Sequence, residues 1–263
     1  MEPPIPQADL DEVNRILPWF AAAPLPDGRL LGRLDARAGK RTEPGRIPDK
    51  RIVRLNDAIP LRNLRVIEVG CFEGIHTVGL LQFCEDVTAI DVRPINVVKT
   101  AARVALSGLR ARVAVQDVEK LSPSFGRFDV MFHCGVLYHL LHPAEQLLAV
   151  GRLADHLFLD THIARDEPRI EERPAGPIVY RGAYHDEGGW SDPFSGRDPS
   201  AFWLTIESIQ SLLLSAGFAL QEVWEVREER NGPRAAIFAT KRVANVPDRS
   251  LQNESSPVMG DCP

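Results

Sequence analysis

Tyr138 and His139 stand side by side in Gly135-Val-Leu-Tyr-His139, and His162 closes Asp160-Thr-His162. An imidazole titrates near neutrality, so a histidine in a cleft is suited to take a proton from a hydroxyl or amine as that group attacks an electrophile. A base so placed accelerates a reaction by about 10²–10⁴-fold. His139 is the preferred base, Tyr138 orients the substrate or the cofactor, and His162 is the competing base. Each of the three has a plainer alternative as a packing or capping residue. His142 reads as a residue that begins a helix, and His76 as one that caps a helix or borders a bound cofactor.

A second group of residues is suited to holding a nucleoside. In Val66-Ile-Glu-Val-Gly-Cys-Phe-Glu-Gly74, Gly70 ends an apolar run where a tight turn or a close ligand requires the absence of a side chain. Gly74 falls where the next helix begins and its free N–H groups point outward. Asp91 ends the following apolar run, at roughly the distance in sequence where an acid meets ribose hydroxyls in open α/β sheets. Asp117 follows a third run and places a carboxylate where an adenine amino group needs an acceptor. A dinucleotide-binding turn wants three glycines around its pyrophosphate, whereas this one has Phe72 between two. S-adenosylmethionine carries no phosphate, so the looser turn suits it better. Its sulfonium is an activated methyl donor, and in-line placement of the acceptor supplies roughly 7–11 kcal/mol of the barrier.

These residues fall at the ends of regularly spaced elements. Residues 64–69, 87–91, 111–115, 128–133 and 156–160 read as short apolar strands, separated by helical patterns at 75–83, 94–106 and 143–153. Strands spaced by helices imply βαβ units and a parallel sheet covered on both faces. After a helix at 205–215, stopped by Gly217, the runs 220–226 and 234–240 flank Asn231-Gly-Pro and must pair antiparallel. The fold expected is a Rossmann-like α/β domain with a seven-stranded sheet, mostly parallel, ending in a C-terminal antiparallel hairpin. Residues 1–60 form an N-terminal extension, 61–242 the domain, and 243–263 a disordered tail. Residues 164–204 read as an irregular lid insertion. Its aromatics, including Tyr184, His185, Trp190 and Trp203, are candidates for contact with an apolar or ring-shaped acceptor, with plain packing on the N-terminal region as the alternative.

Over roughly residues 62–241 the chain resembles class I S-adenosylmethionine-dependent methyltransferases. It is most similar to the group of the wobble-uridine tRNA methyl- and carboxymethyltransferases and their small-molecule relatives. The resemblance rests on Glu68-Val-Gly-Cys, on Phe128-Asp-Val-Met-Phe-His-Cys-Gly-Val-Leu-Tyr-His139 with Pro143, and on Ala201-Phe-Trp-Leu-Thr-Ile-Glu-Ser208. It implies that Glu68, Gly70, Gly74, Asp91 and Asp117 contact the cofactor, with Cys71, Phe72, Val92 and Val118 beside them. The backbone after His133 would meet the methionine amine. Two departures matter. Phe72 replaces the glycine usual at the middle of the first motif, so its side chain must turn away from the cofactor or close over it. Leu140-Leu141 stands where the tRNA enzymes tend to carry a basic pair, which argues against an RNA acceptor and a carboxylated cofactor.

Composition bounds the rest. The 263 residues are 44% hydrophobic and 25% charged, ordinary for a globular domain, and the net charge of −5 argues against a broad phosphate-binding surface. One basic stretch, residues 29–54, holds nine Lys or Arg against three acids and reads as a solvated segment before it reads as a nucleic-acid site. The four cysteines have no paired spacing, and the first residues lack a secretory pattern, so a reducing, cytoplasmic setting without membrane attachment is expected. Asp160 is the best position for a catalytic metal, but no acid ends the fourth strand, and none is expected. The reading is methyl transfer from S-adenosylmethionine to a small-molecule acceptor, chiefly on oxygen. The alternatives are a tRNA-modifying methyltransferase and a cofactor-binding protein without transferase activity. The acceptor and the oligomeric state are not encoded in any recognisable signal.

Overall fold

A computed structural model describes residues 5–34, 42–165 and 169–241. The expected tail at 243–263 and residues 35–41 of the basic stretch lie outside the described residues. In chain order the N-terminal part holds α1 (Gln7–Ile16), β1 (Ala23–Pro24), β2 (Leu30–Leu31) and α2 (Lys50–Ala58). There follow β3 (Arg65–Val69), α3 (Ile75–Leu80), β4 (Asp86–Asp91), α4 (Pro94–Leu106), β5 (Arg112–Val115), β6 (Phe128–Cys134), α5 (Pro143–Leu153) and β7 (Ala154–His162). The last elements are β8 (Glu171–Ala175), β9 (Ile178–Asp186), β10 (Ser200–Leu204), α6 (Ile206–Ser215), β11 (Leu220–Glu229) and β12 (Gly232–Thr240).

The main sheet has seven strands in the order β11-β12-β7-β6-β3-β4-β5. Strands β3 to β7 run parallel, and the β11–β12 hairpin adds antiparallel to β7. Both faces are covered, which is why the strands are apolar runs rather than alternations. Leu147 and Val150 of α5 and Leu212 and Leu213 of α6 pack with Ile67, Met131 and Leu157 on one side. Ile52 and Leu55 of α2 and Leu80 of α3 pack with Val66, Phe132 and Phe158 on the other. Each such buried side chain contributes about 1.5–3 kcal/mol. Helix ends follow their sequence signals: Asp49 caps α2 through the Arg51 N–H, and Thr205 caps α6 through that of Ser208.

The sheet and its hairpin agree with the sequence reading; the lid does not. Residues 171–204 hold three antiparallel strands, ordered β10-β9-β8, where irregular chain was expected. The reason is local. Charged residues, glycines and prolines obscure the alternation, although Tyr180 on β9 is buried between the exposed Val179 and Arg181. Pro174 is tolerated because β8 is an edge strand of this small sheet.

The N-terminal arm is tied to the domain by buried ions. Glu73 accepts hydrogen bonds from the N–H groups of Phe20 and Ala21, both at 2.8 Å. Lys99 reaches Glu73 at 2.7 Å and the carbonyl of Pro18 at 2.9 Å. Arg103 donates to the carbonyls of Glu73, Leu31 and Ala21. Breaking a buried, paired charge of this kind costs about 3–5 kcal/mol.

Candidate functional site

The parallel strands end at one edge, and the order reverses on either side of β3, which is where open α/β sheets bind ligands. The turn after β3 crosses that edge. Gly70 has φ +71°, and a Cβ there would lie 2.2 Å from Cγ2 of Val136, so the close approach of two loops requires glycine. Phe72 also takes a positive φ, +50°. Its ring lies 5.8 Å from that of Phe194 and 6.5 Å from that of Phe20. The ammonium of Lys99 sits 5.5 Å from the centre of the Phe72 ring.

Asp91 ends β4 and receives the N–H groups of Phe72 (3.0 Å) and Arg93 (2.8 Å) and the side chain of Asn96 (3.2 Å). Burial raises its carboxyl above the usual range, against the pull of those donors. Asp117, after β5, accepts from the N–H of Glu119 at 3.0 Å and pairs with Arg197. Together with Gly70, Cys71, Phe72, Val92 and Val118, both acids line a cavity of about 560 Å³.

Three of the residues expected at the cofactor do not line the cavity. Glu68 is fully buried on β3, with Oε2 accepting from Thr77 Oγ1 and Oε1 unpartnered, and burial pushes its carboxyl up to about 8. Gly74 caps α3 and packs against Thr100 of α4. His133 is fully buried, and burial pushes its imidazole down to about 4. The chain after it, Cys134, Gly135 and Val136, does reach the cavity.

Tyr138, His139 and His162 line the same cavity. A single 3₁₀ turn after β6 presents the first two. His139 Nδ1 lies 2.9 Å from a carboxylate oxygen of Glu187. The Tyr138 ring meets His162 edge-on at 4.7 Å, and the Arg234 guanidinium lies 5.3 Å from its centre. Burial raises the Tyr138 phenol, with Arg234 opposing. His162 Nδ1 is 3.2 Å from the carbonyl of Pro233. Burial, then Arg234, lowers the basicity of His162.

The lid aromatics are placed differently from the sequence reading. Tyr184, His185, Trp190 and Trp203 do not line the cavity. Trp203 stacks between His162 (4.8 Å) and His185 (3.6 Å) and so backs the cavity wall. Trp190 is half-exposed, with Arg93 over its ring, and Tyr184 packs on Phe202. The wall comes instead from the loop after β9, Pro193 to Asp198. Sequence reasoning also missed Glu187 and an ionic cluster around Asp160. That fully buried carboxylate is held by Arg234, by Arg227 at 3.0 Å and by Arg51 at 3.6 Å. Arginines thus occupy the position considered for a metal, and among the described residues no group of three or more potential metal ligands occurs. Nor is any described helix long and apolar enough to cross a membrane. The missed partners lie 48 and more residues apart in sequence, beyond the reach of local pattern.

Comparison with known proteins fits this geometry. The methyltransferase-domain family profile matches residues 66–158. A ubiquinone biosynthesis O-methyltransferase of Methylocella silvestris is 32% identical over 94 residues, 36% of this chain and 37% of the relative. A tRNA U34 carboxymethyltransferase of Shewanella sp. (strain ANA-3) is 34% identical over 108 residues, 39% of this chain and 32% of the relative. The matches thus span about a third of these curated relatives. The N-terminal domain of EvdMO1 with S-adenosylhomocysteine bound superimposes with a TM-score of 0.75 at 21% identity, covering 89% of this chain and 96% of that one; it has also been solved in the presence of D-fucose. Residues 66–158 thus match the methyltransferase-domain family, and the chain shares its fold with the N-terminal domain of EvdMO1.

Proposed function

We propose that the protein methylates a hydroxyl group of a small-molecule acceptor, with S-adenosylmethionine as donor. One observation carries the reading: a single cavity joins Asp91 and Asp117 to Tyr138, His139 and His162. The residues at its first end fit the donor. The Asp91 carboxylate keeps accepting capacity beyond its three donors, as ribose hydroxyls require. The Gly70 turn leaves no side chain in the way, and in this reading Asp117 and Val118, which line the cavity, receive the adenine. When bound, the cofactor supplies an activated methyl group.

The chain's own residues do the remainder. His139 takes the acceptor's proton, Tyr138 orients the acceptor, and His162, less basic than an ordinary histidine, serves as a neutral hydrogen-bonding wall. Loop residues Pro193 and Phe194 exclude water. The relatives include both small-molecule and tRNA enzymes, and the D-fucose used with EvdMO1 makes deoxysugars a natural first acceptor class. The test is transfer of tritiated methyl from S-adenosylmethionine to a panel of deoxyhexoses and phenols, with bulk tRNA as the competing acceptor. Label in a methyl ether is the expected result. Label in tRNA, with binding that weakens steeply as salt rises, would establish the other reading.

A further inference from the structure

Residues 193–198 of the loop at 187–199 line the cavity. Its ends are pinched together, the Glu187 N–H donating to the carbonyl of Pro199 at 2.9 Å. Arg93 gathers its interior, donating to the carbonyls of Gly189, Trp190 and Asp192 at 2.8–2.9 Å and to those of Ser195 and Gly196 at 3.3 Å. The backbone N–H of the same arginine binds Asp91. Arg197 pairs with Asp117 and, at 3.5 Å, with Glu119. Gly196 lies so close to His139 that a Cβ would come within 2.4 Å of its carbonyl oxygen. The loop is thereby held to both cofactor acids and to the base.

We propose that Glu187 is the positioning residue for His139, and that the loop which carries it assembles the base as it settles over the cofactor acids. The proposal rests on the reading of His139 as the base. The 2.9 Å contact places the ring proton on Nδ1 and leaves the Nε2 lone pair for the acceptor. The acceptor's proton passes to Nε2 and then to solvent, while Glu187 stays ionised and stabilises the imidazolium. Glu187 suits that role. Burial opposes its charge, but hydrogen bonds from His139 and Ser195 and the Gly196 N–H keep its carboxyl below the ordinary range. The other ionisable groups around this part of the cavity are Tyr138, Glu119, Arg197, Asp198, His162 and Arg234. Among the hydrogen bonds of the described residues, Glu187 is the partner of the His139 ring.

The test reads the imidazole directly and needs no acceptor. Protein labelled with ¹⁵N-histidine, saturated with S-adenosylhomocysteine, is titrated by NMR as wild type, Glu187→Gln and Glu187→Asp. In wild type, His139 shows the Nδ1–H tautomer and a downfield ring proton. In Glu187→Gln that proton signal is lost and the Nε2–H tautomer gains at its expense. Affinity for S-adenosylhomocysteine changes less than about threefold, because Glu187 touches no cofactor acid, and Glu187→Asp keeps part of the effect. An unchanged tautomer and ring-proton signal in Glu187→Gln would overturn the proposal. Should Glu187→Gln fail to fold, His139→Ala gives the reciprocal reading: the Glu187 carboxyl, followed by ¹³C, must titrate at higher pH, and no change there refutes the coupling. Failure of wild type to bind S-adenosylhomocysteine would count against the methyltransferase reading instead, leaving the His139–Glu187 titration to be read in the free protein.

Discussion

The guanidinium of Arg197 lies against the carboxylate of Asp117, fastening the loop over the cavity to the turn that follows β5. Arg197→Ala should release that side of the loop. Amides at 188–198 are expected to exchange faster with deuterium, and S-adenosylhomocysteine should bind about 3–10-fold more weakly by calorimetry, the scale of one charge-assisted hydrogen bond. Unchanged exchange in this segment would show that Arg93 and the Glu187 contacts hold the loop without Arg197.

Asp91 offers a sharper test of the cofactor end. Asp91→Ala removes the acceptor for the ribose and frees the N–H groups of Phe72 and Arg93. Loss of cofactor affinity of about tenfold or more is expected. Tighter binding of NAD than of S-adenosylmethionine by the wild-type protein would contradict the assignment of the site.

At the acceptor end, His139→Ala should leave cofactor binding nearly intact and lower turnover by about two orders of magnitude. His162→Ala should act mainly on acceptor affinity, since its ring is anchored to the Pro233 carbonyl and stacked on Trp203. Turnover that survives the first change and collapses in the second would exchange the two roles.

Glu68 makes a prediction about stability. Its carboxyl is pushed up to about 8 in the folded protein against 4.5 for the free group. Between those values the folded state holds a proton that the unfolded chain has released, so this residue lowers stability as pH rises from about 4.5 to about 8. Glu68→Gln removes the titration. The variant should gain on the order of a few kcal/mol relative to wild type on going from pH 5 to pH 8, read from urea unfolding. Parallel pH dependences for the two proteins would show that Glu68 is ionised in its buried site.

The sheet was legible because buried parallel strands leave apolar runs, and the hairpin because Asn231-Gly-Pro punctuates it. Asp91 and Asp117 were legible for the same reason: each stands at the end of such a run, and both reach the cavity. Glu68 shows the limit of that logic. It lies in the same motif, yet its side chain turns to Thr77 in α3, a choice of direction that spacing does not encode. The lid aromatics misled because aromatic density marks packing as readily as binding; Trp203 spends its faces on two imidazoles. Glu187, between Asp186 and Gly188, looks like any loop acid, and its partner lies 48 residues away.

Glu73 belongs to the cofactor turn, yet its carboxylate is occupied by the backbone of Phe20 and Ala21. The domain is consequently not a portable module. Grafting residues 61–241 elsewhere would uncover Glu73, Lys99 and Arg103 and remove the backbone partners that residues 18–31 supply, and would strip Phe72 of one of its two aromatic neighbours. Swapping the arm for that of a relative would succeed only if Glu73, Lys99 and Arg103 travelled with it, so the unit of exchange is the arm together with the faces of α3 and α4 beneath it.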